Sequence, residues 1–189
     1  MAILIVGLVI FLGVHSLRAI APDWRDGAMR RMGEGPYKGI YTLTAIVGLA
    51  LVVWGFSIAS RQGDYLYLPP SGLRHATEGL MLPALVLAIA SALPPGHIRR
   101  FVRHPLLVAT ILWSLAHLLV NGEVAAVVLF GAFLAWAVFD LLAQRRRPAP
   151  VAARPAALYD GVALVAGIAL YGALVWRLHL WSFGVSPLV

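Results

Sequence analysis

The sequence predicts an all-α, polytopic integral membrane helix bundle of about six transmembrane helices, with both termini on the outer, periplasmic side. Composition is the first ground. Of the 189 residues, 61% are hydrophobic and 12% are charged, whereas soluble domains are roughly 45–50% apolar and about 25% charged. Mean hydropathy is +0.85. A soluble fold of this make-up would lack the polar surface needed to cover its core. The second ground is a series of apolar stretches near 20 residues long, the length that crosses a bilayer core of about 30 Å. The third is the placement of the basic residues between them.

The apolar stretches run over 2–21, 39–60, 76–94, 105–120, 124–143 and 158–183. Lipid offers no hydrogen bonds to the backbone, so each must satisfy its own amides as a helix. The first carries no Lys or Arg ahead of its apolar run, and Pro22 follows Ala19-Ile20-Ala21. It therefore reads as a retained helix rather than a cleaved leader. The third contains Pro83, which should kink it. The fourth opens on Pro105, where a first-turn proline sacrifices no helical hydrogen bond. Asn121-Gly122-Glu123 is a tight outer turn that predicts an antiparallel hairpin of the fourth and fifth helices. A Pro/Arg/Ala-rich segment, 143–157, reads as a basic cytoplasmic linker before the last helix. Another loop, with Pro69-Pro70-Ser71-Gly72, lies on the outer side. No internal repeat is evident, and residues 1–189 read as one transmembrane domain.

Basic residues sort by loop. Arg18, Arg25, Arg30, Arg31 and Lys38 follow the first helix; Arg99, Arg100 and Arg103 separate the third from the fourth; Arg145, Arg146, Arg147 and Arg154 precede the last. Twelve of the 15 thus fall on one side, leaving Arg61, Arg74 and Arg177 on the other. The positive-inside rule makes the rich side cytoplasmic, so both termini face out, toward the periplasm from the cell inner membrane if the cell is bacterial. The net charge of +7 then reads as topology and contact with the lipid bilayer, not as nucleic-acid binding. The chain has no cysteine, which excludes disulfides, zinc–thiolate sites, iron–sulfur clusters and covalently attached haem. Gly33-Glu34-Gly35 is too short for a phosphate loop and follows no strand. Asp140 and Asp160 are expected at the inner boundary, facing the Arg-rich linker.

Histidine stands out among the polar residues of the spans, where ionisable groups are costly and usually face the bundle interior. His15 lies in the first helix, a few residues above its cytoplasmic end, and His117 near the outer third of the fourth. His75 opens the third helix with Glu78 one turn on. His104 opens the fourth, and His97 and His179 read with it as interfacial anchors. His104 and His117 are separated by about 20 Å of helical rise and face roughly opposite ways, so they cannot share one metal ion. By depth alone, His15 matches His104 on the inner side, while His75, His117 and His179 form an outer set. Imidazole can hold haem iron without help from cysteine or carry protons. Arg18, one turn from His15, either snorkels to the headgroups or pairs with an anionic cofactor group. Ser114 and Asn121 near His117 read as helix-to-helix glue.

The order of short motifs resembles the NnrU family of bacterial membrane proteins. The motifs are Gly13-Val14-His15-Ser16-Leu17-Arg18, then Gly35-Pro36-Tyr37-Lys38-Gly39-Ile40-Tyr41-Thr42-Leu43, then Leu73-Arg74-His75. Arg103-His104-Pro105 follows, with Trp113-Ser114-Leu115-Ala116-His117-Leu118 and Asn121-Gly122. The resemblance runs through most of residues 1–143, with little from the last helix. It implies a place in denitrification and nitric oxide metabolism. It also implies kinship with plant 15-cis-zeta-carotene isomerase, a membrane enzyme that uses haem b. Carried onto the matching positions, the haem ligands would be His15 and His117, with His75 and His104 as second choices. Arg18 and Arg103 would be further cofactor-binding residues. The implied partners are an apolar small-molecule substrate or a nitrogen oxide, and a membrane redox partner.

Two other readings follow from the same residues. Arg103-His104-Pro105 also resembles the motif that helps bind the methyl donor in isoprenylcysteine and phospholipid methyltransferases. Those enzymes carry a later acidic motif, where this chain has Asp140-Leu141-Leu142-Ala143-Gln144-Arg145. The other reading is a non-catalytic membrane partner that assembles or regulates another protein.

Overall fold

The computed structural model describes residues 1–145 and 154–187. Among them the regular structure is helical, apart from one isolated antiparallel bridge between Tyr65 and Glu123. In chain order the helices are α1 (Ala2–Ile20), α2 (Pro22–Met32), α3 (Glu34–Ala59), α4 (Leu73–Ala92), α5 (His97–Val102), α6 (Pro105–Val120), α7 (Val124–Arg145), α8 (Ala157–Ala173) and α9 (His179–Phe183). A 3-10 turn, Ser60–Gln62, extends α3, and a π-helical stretch, Leu174–Leu178, joins α8 to α9.

The six apolar stretches all form helix. Five are long and apolar enough to cross a membrane: Ala2–Ile20, Glu34–Gln62, Leu73–Ala92, Val124–Gln144 and Ala157–Phe183. The expected fourth span, α6, is apolar but has only 16 residues, about 24 Å of rise against a core of about 30 Å. Two helices appear where the sequence suggested only loops. In α2, Pro22 and Asp23 start the helix, Arg30 and Arg31 close it, and Gly33 ends it at φ 85. Such charges suit the helix dipole. The six-residue α5 starts on a carboxylate borrowed from α8, as described below. Most of the expected linker 143–157 lies outside the described residues.

The chain divides into two compact units. The first contains α1, α2, α3 and α7; the second contains α4, α5, α6, α8 and α9. The helices flanking Asn121-Gly122-Glu123, α6 and α7, belong to different units.

In the first unit α1 lies along α3 at a separation set by glycine. A Cβ on Gly7 would stand 2.5 Å from the Val52 nitrogen, one on Gly48 2.8 Å from the Phe11 nitrogen, and one on Gly55 2.6 Å from Leu4 Cα. Leu4, Leu8 and Val52 are buried along this seam. In a bilayer the lipid tails are as apolar as leucine, so helices associate through such close packing rather than by escaping water. On α7, Phe133 meets Phe11 at 5.9 Å between ring centroids. Arg25 of α2 lies over the Tyr37 ring at 5.9 Å.

The second unit is built around α4. A Cβ on Gly167 of α8 would stand 2.8 Å from Val86 Cα. Toward α6, the Thr77 hydroxyl reaches the Leu73 carbonyl at 3.2 Å and the Ala116 carbonyl at 3.0 Å. Pro83 sits inside α4, where it cannot donate to the Gly79 carbonyl.

If the α1–α3 seam rests on glycine, Gly55→Ala should destabilise the protein by about 1–3 kcal/mol through overpacking. A Cβ at Gly131 of α7 meets nothing within 4 Å, so Gly131→Ala should be neutral or slightly stabilising. Thermal unfolding in detergent compares the two.

Candidate functional site

Each unit carries one histidine set into a membrane helix in the same way. In the first unit, the His15 Nδ1–H donates to the Phe11 carbonyl four residues back, at 2.6 Å. A carbonyl can only accept, so Nδ1 holds the proton and the lone pair lies on Nε2. The Phe11 ring is 4.4 Å from the imidazole, centroid to centroid. Tyr41 of α3 approaches it edge-on at 5.5 Å and Trp136 of α7 at 6.1 Å. Trp136 is itself fixed, its Nε1–H donating to Ser16 Oγ at 3.1 Å. Ser16 Oγ–H in turn donates to the Leu12 carbonyl at 2.7 Å. Three helices thus converge on one imidazole.

Asp140, one turn beyond Trp136 on α7, is 7% exposed and close enough to Tyr41 to interact with it electrostatically. It is a buried acidic residue of the first unit; the Arg-rich linker it was expected to face lies mostly outside the described residues. Tyr41, Trp136 and Asp140 escape a reading that looks only for histidine. Their signal is helical spacing: Tyr37 and Tyr41, and Trp136 and Asp140, are four apart in otherwise apolar runs.

In the second unit, the His117 Nδ1–H donates to the Trp113 carbonyl at 2.9 Å, and the two rings are 5.2 Å apart. The same tautomer follows. Three residues earlier, and so on the same side of the helix, Ser114 is fully buried. Among the described residues its hydroxyl has no hydrogen-bond partner. A buried hydroxyl normally bonds the carbonyl four residues back or a neighbouring helix, so Ser114 Oγ is an unmet polar atom beside His117.

The remaining sequence candidates are placed otherwise. The His75 side chain is 90% exposed and 3.6 Å from Glu78. His104 follows a tight turn, with its backbone N–H on the Val102 carbonyl at 2.7 Å. Arg18 ends α1 and is exposed, and Arg103 is exposed at φ 61. His179 bonds the Val185 carbonyl through Nδ1 at 2.7 Å, a local contact within the last described turn. His97 bonds Asp160 at 2.8 Å, so Asp160 serves α5; the Arg-rich linker it was expected to face lies mostly outside the described residues. Among the described residues, no three His, Asp or Glu side chains form a metal-holding group.

The Asn121-Gly122-Glu123 motif closes the first unit. Leu66 N–H bonds the Gly122 carbonyl at 2.8 Å and Val124 N–H bonds the Asp64 carbonyl at 2.9 Å. The Tyr67 hydroxyl donates to the Asn121 carbonyl at 3.0 Å, and that of Tyr65 to Glu123 Oε1 at 3.1 Å. Gly122 is required here, because a Cβ would stand 2.8 Å from the Tyr67 carbonyl carbon.

The family whose sequence pattern matches the chain is described as NnrU protein, and the match covers residues 3–187. The chain belongs to the NnrU family. No curated protein and no solved structure matches it. The NnrU match takes in α8 and α9, which contributed little to the motif resemblance. The two histidine stations, the loop clasp and the α5 corner all lie within it.

The clasp makes a pH prediction. The hydrogen bond to Glu123, then its negative charge, holds the Tyr65 phenol above its ordinary value. A raised phenol value favours the fold below the unfolded-state value and loses that contribution as pH rises through the folded one. Glu123→Gln should therefore lower the Tyr65 titration. Tyrosinate absorbance, with Tyr65→Phe subtracted, follows it; an unchanged titration would contradict the clasp.

Proposed function

We propose that this NnrU protein holds haem b in the membrane, with His15 and His117 as iron ligands, and serves a redox or isomerase reaction within nitric oxide metabolism. The matched construction of the two histidines carries the reading. Each ring gives its Nδ1 proton to a backbone carbonyl on its own helix and keeps Nε2 as the basic nitrogen. That is how proteins commonly orient a metal-binding imidazole. The donor set also suits the group: two neutral imidazoles from apolar helices, with no thiolate in the chain. The unmet Ser114 hydroxyl beside His117 favours the same place, since it can donate to a ligand atom there. Exposed Arg18 and Arg103 are the cationic candidates for anionic groups on such a ligand. Bound haem would supply one-electron chemistry or a site for a small oxide of nitrogen.

The surrounding residues have separable tasks. Phe11, Tyr41 and Trp136 pack the His15 ring and exclude water from it. Ser16 fixes Trp136. The basic loops orient the chain with both termini outside in the bacterial inner membrane, as one transmembrane domain with α6 as the sixth span. The partners of this reading are the lipid bilayer, an apolar small molecule or nitrogen oxide, and a membrane redox protein.

Purified wild-type protein from haem-replete cells should show a Soret band. His15→Ala and His117→Ala should each reduce haem per chain by at least about tenfold, while His97→Ala should not. A colourless wild type, or full haem content in both variants, would defeat the reading. In that event a non-catalytic role would be the better account.

A further inference from the structure

The corner between α4 and α6 enters the haem reading only through Arg103, and its other features are not used there. Both flanking helices are apolar, so residues 93–104 lie where the chain turns at a membrane boundary. They carry Arg99, Arg100, Arg103, His97 and His104. Two of these groups are already engaged. Arg99 Nη1 donates to the Leu93 carbonyl at 2.7 Å and so caps the end of α4. Asp160 of α8 accepts the His97 and Ile98 backbone N–H groups at 2.8 and 2.9 Å and His97 Nδ1 at 2.8 Å. That carboxylate is therefore occupied by three donors and leaves the nearby guanidinium groups without an acid. Among the described residues, Arg100 and Arg103 make no ion pair and no side-chain hydrogen bond.

These two arginines share a cleft of about 380 Å³ with His97 and Phe101. Phe101 is 91% exposed. An aromatic ring set between charges at a bilayer boundary fits the level where headgroups meet acyl chains. The backbone is unusual at the same point. Arg103 has φ 61 and ψ −46, and the His104 N–H bonds the Val102 carbonyl across it at 2.7 Å. This is a γ-turn of the strained hand, and Arg103 is the one non-glycine residue at positive φ among the described residues. Backbone strain of this kind gathers at ligand clamps. Pro105 follows at once and starts α6, so the turn is held from both sides.

We infer that this corner binds the phosphate of an anionic phospholipid, with Arg100 and Arg103 on the phosphate and Phe101 in the adjoining acyl chains. Guanidinium groups suit phosphate because their planar fork donates two parallel hydrogen bonds. Free phosphate would use the arginines but give Phe101 no role, so the ring points to a lipid.

The test uses full-length protein in detergent, exchanged with phosphatidylglycerol or phosphatidylcholine and read by native mass spectrometry. Each arginine near an anionic surface is worth about fivefold in binding. Wild type should retain phosphatidylglycerol over phosphatidylcholine, and Arg100→Gln with Arg103→Gln should cut that retention by roughly tenfold to thirtyfold. Arg30→Gln with Arg31→Gln removes equal charge from α2 and should leave retention near wild type. Phe101→Ser should weaken lipid retention by several fold, and soluble glycerol phosphate should compete poorly. Equal retention of the two lipids would overturn the inference. So would equal losses in the two double variants, or full competition by glycerol phosphate. Haem content is read on wild type and on Phe101→Ser, a residue the haem reading does not use, so failure here and failure of the haem reading are separate results.

Discussion

A hydrocarbon solvent supplies no hydrogen bonds, and this constraint governs the molecule at every scale. It makes the apolar stretches helical, and it also decides what polar side chains do inside them. The hydroxyls of Ser16, Thr44, Thr77 and Thr110 each donate to the carbonyl four residues back. His15 and His117 do the same with Nδ1–H. For a hydroxyl this satisfies the group. For an imidazole it does more, because it fixes which nitrogen keeps a lone pair and how the ring is turned. The functional reading thus begins as a solvation effect. Ser114 breaks the pattern, being fully buried with a hydroxyl that finds no partner among the described residues, and it lies one turn from His117.

The same solvent removes the usual drive for helices to associate, so contact must come from close fit. The first unit obtains it from Gly7, Gly48 and Gly55, which bring the α1 and α3 backbones together. The second uses Gly167 and the shared hydroxyl of Thr77. Because the His15 ring rests on helices packed this tightly, its neighbours Tyr41 and Trp136 are held by backbone position as well as by their own contacts. Polar chemistry at the membrane boundary follows different rules. There charges can be exposed, and the α5 corner leaves two arginines unmatched while Asp160 is fully occupied.

The spans were legible because length and apolarity are properties of one segment at a time. The short α6 was harder to place for the same reason, since its 16 residues fall below a full crossing. The helices α2 and α5 were missed because neither has an apolar run, although Pro22, Asp23 and Gly33 mark the ends of α2. The start of α5 could not be read locally, because its capping carboxylate is 62 residues away in sequence. His15 and His117 were legible from depth in the spans. Their tautomers were not, since these depend on ring orientation. Nor were Tyr41, Trp136 and Asp140, whose relation to the histidine depends on which helices pack together.

The most direct measurement is nitrogen-15 NMR of histidine-labelled, haem-free protein at neutral pH, with His15→Gln and His117→Gln used to assign the signals. In each ring Nδ1 should carry a proton, with Nε2 the nitrogen that offers the lone pair. A ring whose single proton sits on Nε2 would mean that its bond to the preceding turn is not made, and the basis for iron ligation at that residue would be gone.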